Sequence, residues 1–251
     1  MNILYGFINI IVVFSFVVLI EKLFKREGLY VWLSIAIILA NLTVCKMIDV
    51  FGFTTSLGNV LFASTFLATD IMSEKYSKED AKKGIYISLF SGITFIIVTQ
   101  ITLLFIPSAD DVVSDAMKTL FNVSIRTTFA SMLMFFISNM MDIHIYNYLK
   151  EKYPNKLWFR NNLSTILCNC LENYLFNCLA FVGIFSVPVI ISIATTTTII
   201  EIVIALCDTP FLYISKWLRE WLQSIDNYLE FAIKKHFKYI EYNLEEVLIK
   251  R

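Results

Sequence analysis

Seven long apolar runs, separated by short charged stretches, dictate what this chain can become. They occupy residues 3–20, 29–48, 60–72, 85–106, 120–141, 163–185 and 187–214. A run of about 18 or more apolar residues is long enough to cross a hydrocarbon core of roughly 30 Å as a helix. A spanning segment must satisfy its own backbone hydrogen bonds, so every run is expected to be helical. An outer-membrane barrel would instead show alternating segments of about ten residues, and the sequence has none. The third run is too short to span alone. It is expected to extend either outward into residues 54–59 or inward through Asp70. Composition agrees: 57% of the 251 residues are hydrophobic and 17% charged, against about 45–50% and about 25% in soluble domains. The fold class expected is all-α, a polytopic membrane helix bundle.

Charge sets the orientation. The stretch after the first run carries Lys22, Lys25 and Arg26, and that after the third carries Lys75, Lys78, Lys82 and Lys83. The loop after the fifth carries Lys150, Lys152, Lys156 and Arg160, and the tail opens with Lys216 and Arg219. Between these, residues 49–58 and 186–188 have no basic residue, and Asp110, Asp111 and Asp115 face only Lys118. Cationic loops stay on the cytoplasmic side. Seven spans therefore give an outside N-terminus and an inside C-terminus, in the inner (cytoplasmic) membrane. Met1 and Asn2 lead straight into an apolar run with no basic n-region, so no cleaved signal peptide is expected.

Residues 1–215 form the expected transmembrane domain, and residues 216–251 an amphipathic cytoplasmic helix. In that tail Trp217, Trp221, Ile225, Leu229, Ile233, Phe237, Ile240 and Leu244 recur at helical spacing among charged residues. Such a helix lies on the membrane surface or packs on a partner.

Several chemistries are disfavoured. Cys45, Cys168, Cys170, Cys178 and Cys207 all fall within spans, where free cysteine behaves as a small buried hydrophobe. His144 and His236 are far apart, and nothing resembles a metal site. The seven glycines are isolated, with no phosphate-binding loop. No cofactor is expected. An intramembrane enzyme would need a nucleophile with a base, a metal pair or paired catalytic carboxylates at one depth, and no Ser–His or HExxH pattern is present.

The spans nevertheless carry polar residues that a purely structural bundle has little use for, since a charge at the bilayer centre costs several kcal/mol unless paired or hydrated. In the sixth run Asn162, Thr165, Asn169, Glu172 and Phe176 share one helix face. Glu172 lies about ten residues, or roughly 15 Å, from the cytoplasmic end, near the midplane. Glu201 and Asp208 share a face of the seventh run, followed by Pro210, which frees an upstream carbonyl. Asn139 and Asp142 close the fifth run and Asp70 and Glu74 the third, with Asp70 at the cytoplasmic edge, where it is open to solvation. Asn41 in the second run both donates and accepts. Arg126 either snorkels to the interface or pairs with a buried carboxylate, and the threonines at 195–198 are expected to bond their own helix backbone. Together Asn41, Asp70, Glu74, Asn139, Asp142, Asn169, Glu172, Glu201 and Asp208 describe a cavity for a neutral or cationic solute rich in donors.

These residues fall in ordered blocks: Phe66-Leu67-Ala68-Thr69-Asp70-Ile71-Met72-Ser73-Glu74-Lys75-Tyr76, then Ile137-Ser138-Asn139-Met140-Met141-Asp142-Ile143-His144-Ile145-Tyr146. Trp158-Phe159-Arg160-Asn161-Asn162-Leu163-Ser164-Thr165 follows with Asn169 and Glu172, and last comes Ala205-Leu206-Cys207-Asp208-Thr209-Pro210-Phe211. From about residue 29 to 213 the chain resembles the queuosine precursor transporter family, also called the vitamin uptake transporter family. The resemblance implies a six-helix core, to which the first run is an addition. It also implies import of a 7-deazaguanine (preQ0, preQ1 or queuine) for transfer-RNA modification, with the small molecule and the lipid bilayer as partners. A homodimer through an apolar helix face is compatible, and no nucleic acid is bound. The alternative reading is a vitamin-binding subunit of an energy-coupling uptake complex, with the C-terminal helix as the dock for a separate ATPase. A structural scaffold would leave Glu172, Glu201 and Asp208 unexplained.

Overall fold

The computed structural model describes residues 1–44, 46–50, 53–121 and 125–249, with side chains to residue 233 apart from 53, 54, 125, 226, 230 and 232. Cys45 lies outside them, as do the side chains of His236, Phe237, Ile240 and Leu244.

The first helix, α1 (Asn2–Thr43), has 42 residues, about 63 Å if it were straight. It is not straight. Lys25 leaves the helical region at φ 55° and ψ −138°, and the chain turns back on itself. A Cβ added to Gly28 would collide with the carbonyl oxygen of Ile20, although in an unbroken helix those residues stand about 12 Å apart. The far ends also meet, with Asn2 Nδ2 donating to the carbonyl of Asp49 at 3.0 Å. The element is therefore two antiparallel arms, residues 2–24 and 26–43, which match the first two apolar runs.

The second run does not stay helical to residue 48. Its arm ends at Thr43, and Ile48 lies in β1 (Met47–Val50), antiparallel to β2 (Phe53–Ser56) with Met47 opposite Ser56. Both strands are short and carry β-branched or aromatic residues that fit a pleated surface. This hairpin also overturns the outward helical extension of the third run. The next helix, α2 (Gly58–Lys75), extends inward through Asp70 instead. Every residue of α2 except Asn59, Phe62 and Glu74 is buried, which makes it a central helix.

Ser77 then caps α3 (Lys78–Thr102), accepting from the Asp80 N–H at 3.0 Å while its hydroxyl donates to Asp80 Oδ2 at 2.7 Å. A short helix, α4 (Ser114–Phe121), starts where the Val113 and Ser114 N–H groups donate to Asp111. Those donors hold the Asp111 carboxyl below its ordinary range. Of the run expected over 120–141, residues 120–121 lie in α4 and residues 125–141 in α5 (Ile125–Lys152); residues 122–124 lie outside the described ones. Next comes α6 (Leu157–Phe181), which reaches α7 (Val187–Ile249) through Gly183. The φ of +85° at Gly183 is one that a side chain would strain.

Among the described residues, four helices are long and apolar enough to cross a membrane: Asn2–Thr43, Lys78–Thr102, Arg126–Lys152 and Val187–Leu229. The more polar α2 packs along α1, and α6 along α5. The architecture is a multi-pass all-α membrane bundle carrying one small hairpin. The chain divides into two compact units, Met1–Leu212 and Tyr213–Arg251. The second unit is helical through Ile249, with Trp217 and Trp221 stacked at 6.2 Å and Tyr228, Leu229, Phe231 and Ile233 exposed.

Candidate functional site

One face of α6 organises the polar interior. Asn161, Thr165, Asn169, Asn173 and Asn177 recur at every fourth position, so they lie one above another along a stripe. All five are buried. Glu172 flanks the stripe midway along it.

Beside the C-terminal half of this stripe is a cavity of about 630 Å³, within the range of about 300–1,000 Å³ usual for small-molecule sites. The second arm of α1 supplies Asn41 to its wall, the hairpin supplies Thr55, and Phe62 and Phe176 contribute aromatic surface. Glu172 of α6 and Glu201 of α7 both line it and lie close enough to interact. Asn173 Nδ2 holds Glu201 Oε2 at 2.6 Å. Glu172 has the Ser138 hydroxyl nearby, while its Oε2 has no donor among the described residues. No described lining residue is basic. Two carboxylates face a cavity with nothing cationic among its described lining residues to neutralise them.

A second cluster sits elsewhere in the same unit. Asp70, Asp142 and Asp208 are each 0% exposed, and none lines the cavity. Thr165 donates to Asp142 Oδ1 at 3.4 Å, and Asn161 Nδ2 to Asp208 Oδ1 at 2.6 Å. Asp70 lies against Asp142, and Asp208 near both. The expectation that Asp70 is open to solvation is corrected: α2 is enclosed at that level by its neighbours.

A third group closes the end of α2. Glu74 Oε2 accepts from Arg160 Nη2 at 2.5 Å and from the Tyr146 hydroxyl at 3.1 Å, with Lys150 Nζ at 3.7 Å. The Arg160 Nη1 donates to the carbonyls of Tyr153 at 3.3 Å and Pro154 at 2.6 Å, which ties in the loop between α5 and α6. Lys75 and Glu21 form a further buried pair at 2.8 Å.

The nine residues singled out in the sequence therefore part into groups. Asn41, Glu172 and Glu201 line the cavity. Asp70, Asp142 and Asp208 form the separate acidic cluster, and Glu74 is held in its ion pair. Asn139 is buried, accepting from Thr65 Oγ1 at 3.2 Å and donating to the Phe135 carbonyl at 3.0 Å. Asn169 is also buried, its Oδ1 without a donor among the described residues. Arg126 pairs with no carboxylate among the described residues; its Nε donates to the carbonyl of Leu179 near the end of α6 at 2.6 Å. Thr195 and Thr198 bond the carbonyls of Ile191 and Ala194, both at 2.8 Å. Asn161, Asn173 and Asn177 were not among the expected site residues, although the four-residue spacing from Asn169 marks Asn173 and Asn177. Arg160, the counter-ion of Glu74, stands in the sequence as a loop charge and a member of a motif block, with nothing to mark its partner.

Residues 56–215 match the family model described as "Putative vitamin uptake transporter". Over 208 residues the chain is 34% identical to a protein of Bacillus subtilis (strain 168) named "Probable queuosine precursor transporter", a stretch that covers 82% of this chain and 91% of that one. No solved structure matches the chain.

Proposed function

The chain belongs to the queuosine precursor transporter family, the vitamin uptake transporters, and on that premise we propose that it imports a 7-deazaguanine through the cavity between α6 and α7. The observation that carries the reading is the pair Glu172 and Glu201 on a cavity wall with no basic side chain among its described residues. A deazaguanine presents an N1–H and an exocyclic amine along one edge, and a carboxylate accepts both. Glu172, whose Oε2 lacks a donor among the described residues, is assigned that edge. Glu201, fixed by Asn173, is placed to pair with the aminomethyl cation of preQ1 through a charge-assisted bond. Phe62 and Phe176 offer flat surface to a planar ring, and Asn41 and Asn177 offer amides to its remaining polar atoms.

In this reading the chain crosses the cytoplasmic membrane seven times, with the hairpin outside and the Glu74–Arg160 group inside. Residues 1–215 form the transport domain, and 216–251 a cytoplasmic amphipathic helix. The test is rescue of a cell that cannot make queuosine and lacks its own importer. The protein is expressed, preQ0, preQ1 or queuine is supplied in turn, and queuosine in transfer RNA is scored by retarded migration on boronate gels. Rescue by one compound is expected. No rescue by any of them, with the protein present in the membrane, overturns the assignment in favour of the vitamin-subunit alternative, whose mark is co-purification with an ATPase.

A further inference from the structure

Asp208 and Asn161 meet as an amide against a carboxyl group. One contact is made, Asn161 Nδ2 to Asp208 Oδ1 at 2.6 Å. The other two atoms of the same pair, Asn161 Oδ1 and Asp208 Oδ2, are both acceptors, both buried, and both without a donor among the described residues. One proton on Asp208 would turn Oδ2 into the donor that the amide oxygen lacks. The same holds next door, where Asp70 Oδ1, Asp70 Oδ2 and Asp142 Oδ2 have no donor among the described residues and the two carboxyl groups lie against each other. Buried polar atoms in native proteins are overwhelmingly satisfied, and an exception calls for a specific explanation.

Among the described residues, the nearby candidates for a fixed counter-charge are engaged elsewhere. The titratable and charged neighbours are Glu74 on α2, Tyr146 on α5, Arg160 and Cys168 on α6, and Cys207 on α7. Arg160 and Tyr146 are held on Glu74. From the side of α1, Glu21 is held by Lys75, and α3 turns Ala81, Gly84, Ile85 and Ser88 inward. Among the described residues no group of His, Cys, Asp and Glu is arranged to hold a metal ion. The ligand that fits this cluster is a proton.

We propose that Asp70, Asp142 and Asp208, with Asn161, form a proton-carrying site distinct from the substrate cavity, and that proton entry there drives solute uptake. The inference rests on the transport reading above. Two helices link the sites. Asp208 and Glu201 are seven residues apart on α7, roughly 10 Å, and on α6 the stripe joins Asn161 and Thr165 to Asn169 and Asn173. Loading the acidic cluster therefore acts on the same two helices that hold the cavity carboxylates.

The test uses the full chain in liposomes, with labelled preQ0, preQ1 and queuine as separate probes. Exchange of internal for external solute at equal pH moves no net protons and reports transport alone. An acid-outside gradient is then imposed, with a sodium gradient at equal pH as the second arm. Expected is solute accumulation severalfold above the equilibrium level with the acid gradient and none with sodium. Asp208→Asn and Asp142→Asn are expected to lose that accumulation while keeping exchange, a split that a merely structural role would not produce. Exchange without acid-driven accumulation in the unaltered protein, or accumulation driven by sodium, overturns the proton site and leaves the transport reading standing. Absence of exchange for all three probes overturns the transport reading itself. The arms on the unaltered protein decide the matter even where a variant fails to fold.

Discussion

At the end of α2, Glu74 is met by a guanidinium, a phenol and an ammonium group; across the cavity, Glu172 is met by a hydroxyl and by another carboxylate. Both are carboxylates on helices of one bundle. The first is saturated by groups that the chain itself provides, so nothing is left for a ligand to do there. The second is left with a buried oxygen that no described donor reaches, on a residue that lines a space large enough for a small molecule. Burial of an acid does not by itself distinguish structure from function; what separates the two is whether the protein completes the acid's hydrogen bonds.

The largest effect that would break this comparison is expected at Glu172. Glu172→Ala should abolish uptake in the rescue assay while the protein stays at normal level in the membrane; retained uptake would remove Glu172 from the site. Next comes Arg160→Met, which leaves Glu74 buried without its main partner. Removing one member of a buried pair costs about 3–5 kcal/mol, so thermal unfolding in detergent should move well down. The paired change Glu74→Leu with Arg160→Met should recover most of that loss, and if it does not, the pair is more than a closure of charge. Asn173→Ala should leave folding nearly intact but free Glu201, a loss of about 1–3 kcal/mol in hydrogen bonding. A raised KM for preQ1 with little change for preQ0 would show that Glu201 reads the cation. The smallest effect is expected at Lys150, whose ammonium caps the last carbonyls of α2 at Ser73 and Glu74. Lys150→Met should cost about 0.3–1 kcal/mol, as for a cation at a helix C-terminus, readable as a small shift in melting temperature with uptake preserved.

The sequence revealed these two regions unequally. The apolar runs were legible because the bilayer imposes a length and a backbone rule on every span, and the stripe containing Glu172 because helical spacing survives in one dimension. The partnership of Glu74 with Arg160 was not legible, since it joins residues far apart along the chain and no local pattern marks it. Asp70 stands four residues before Glu74 and looked equally peripheral, yet only the packing around α2 shows that it is sealed from solvent. The hairpin was hidden for another reason. Ile48, Val50 and Phe53 look like the margins of apolar runs, and their β-branched and aromatic character was outweighed by the expectation that all apolar sequence in a membrane is helical. Asn173 and Asn177 were recoverable in principle, because extending the four-residue step past Asn169 leads to both.

The reversal at Lys25 also has a mechanical side. The two arms of α1 are joined at one end by the close approach of Gly28 to Ile20 and at the other by Asn2 and Asp49, so they act as a lever with its fulcrum at the turn. From Gly28 to Asn41 the second arm is about 20 Å long, and splaying it by only about 5° would swing its tip by about 2 Å at that length. The tip is where Asn41 and the hairpin form the cavity wall. A side chain at position 28 would therefore be felt most at the mouth of a cavity it never touches, which makes the smallest residue in the turn a determinant of the aperture.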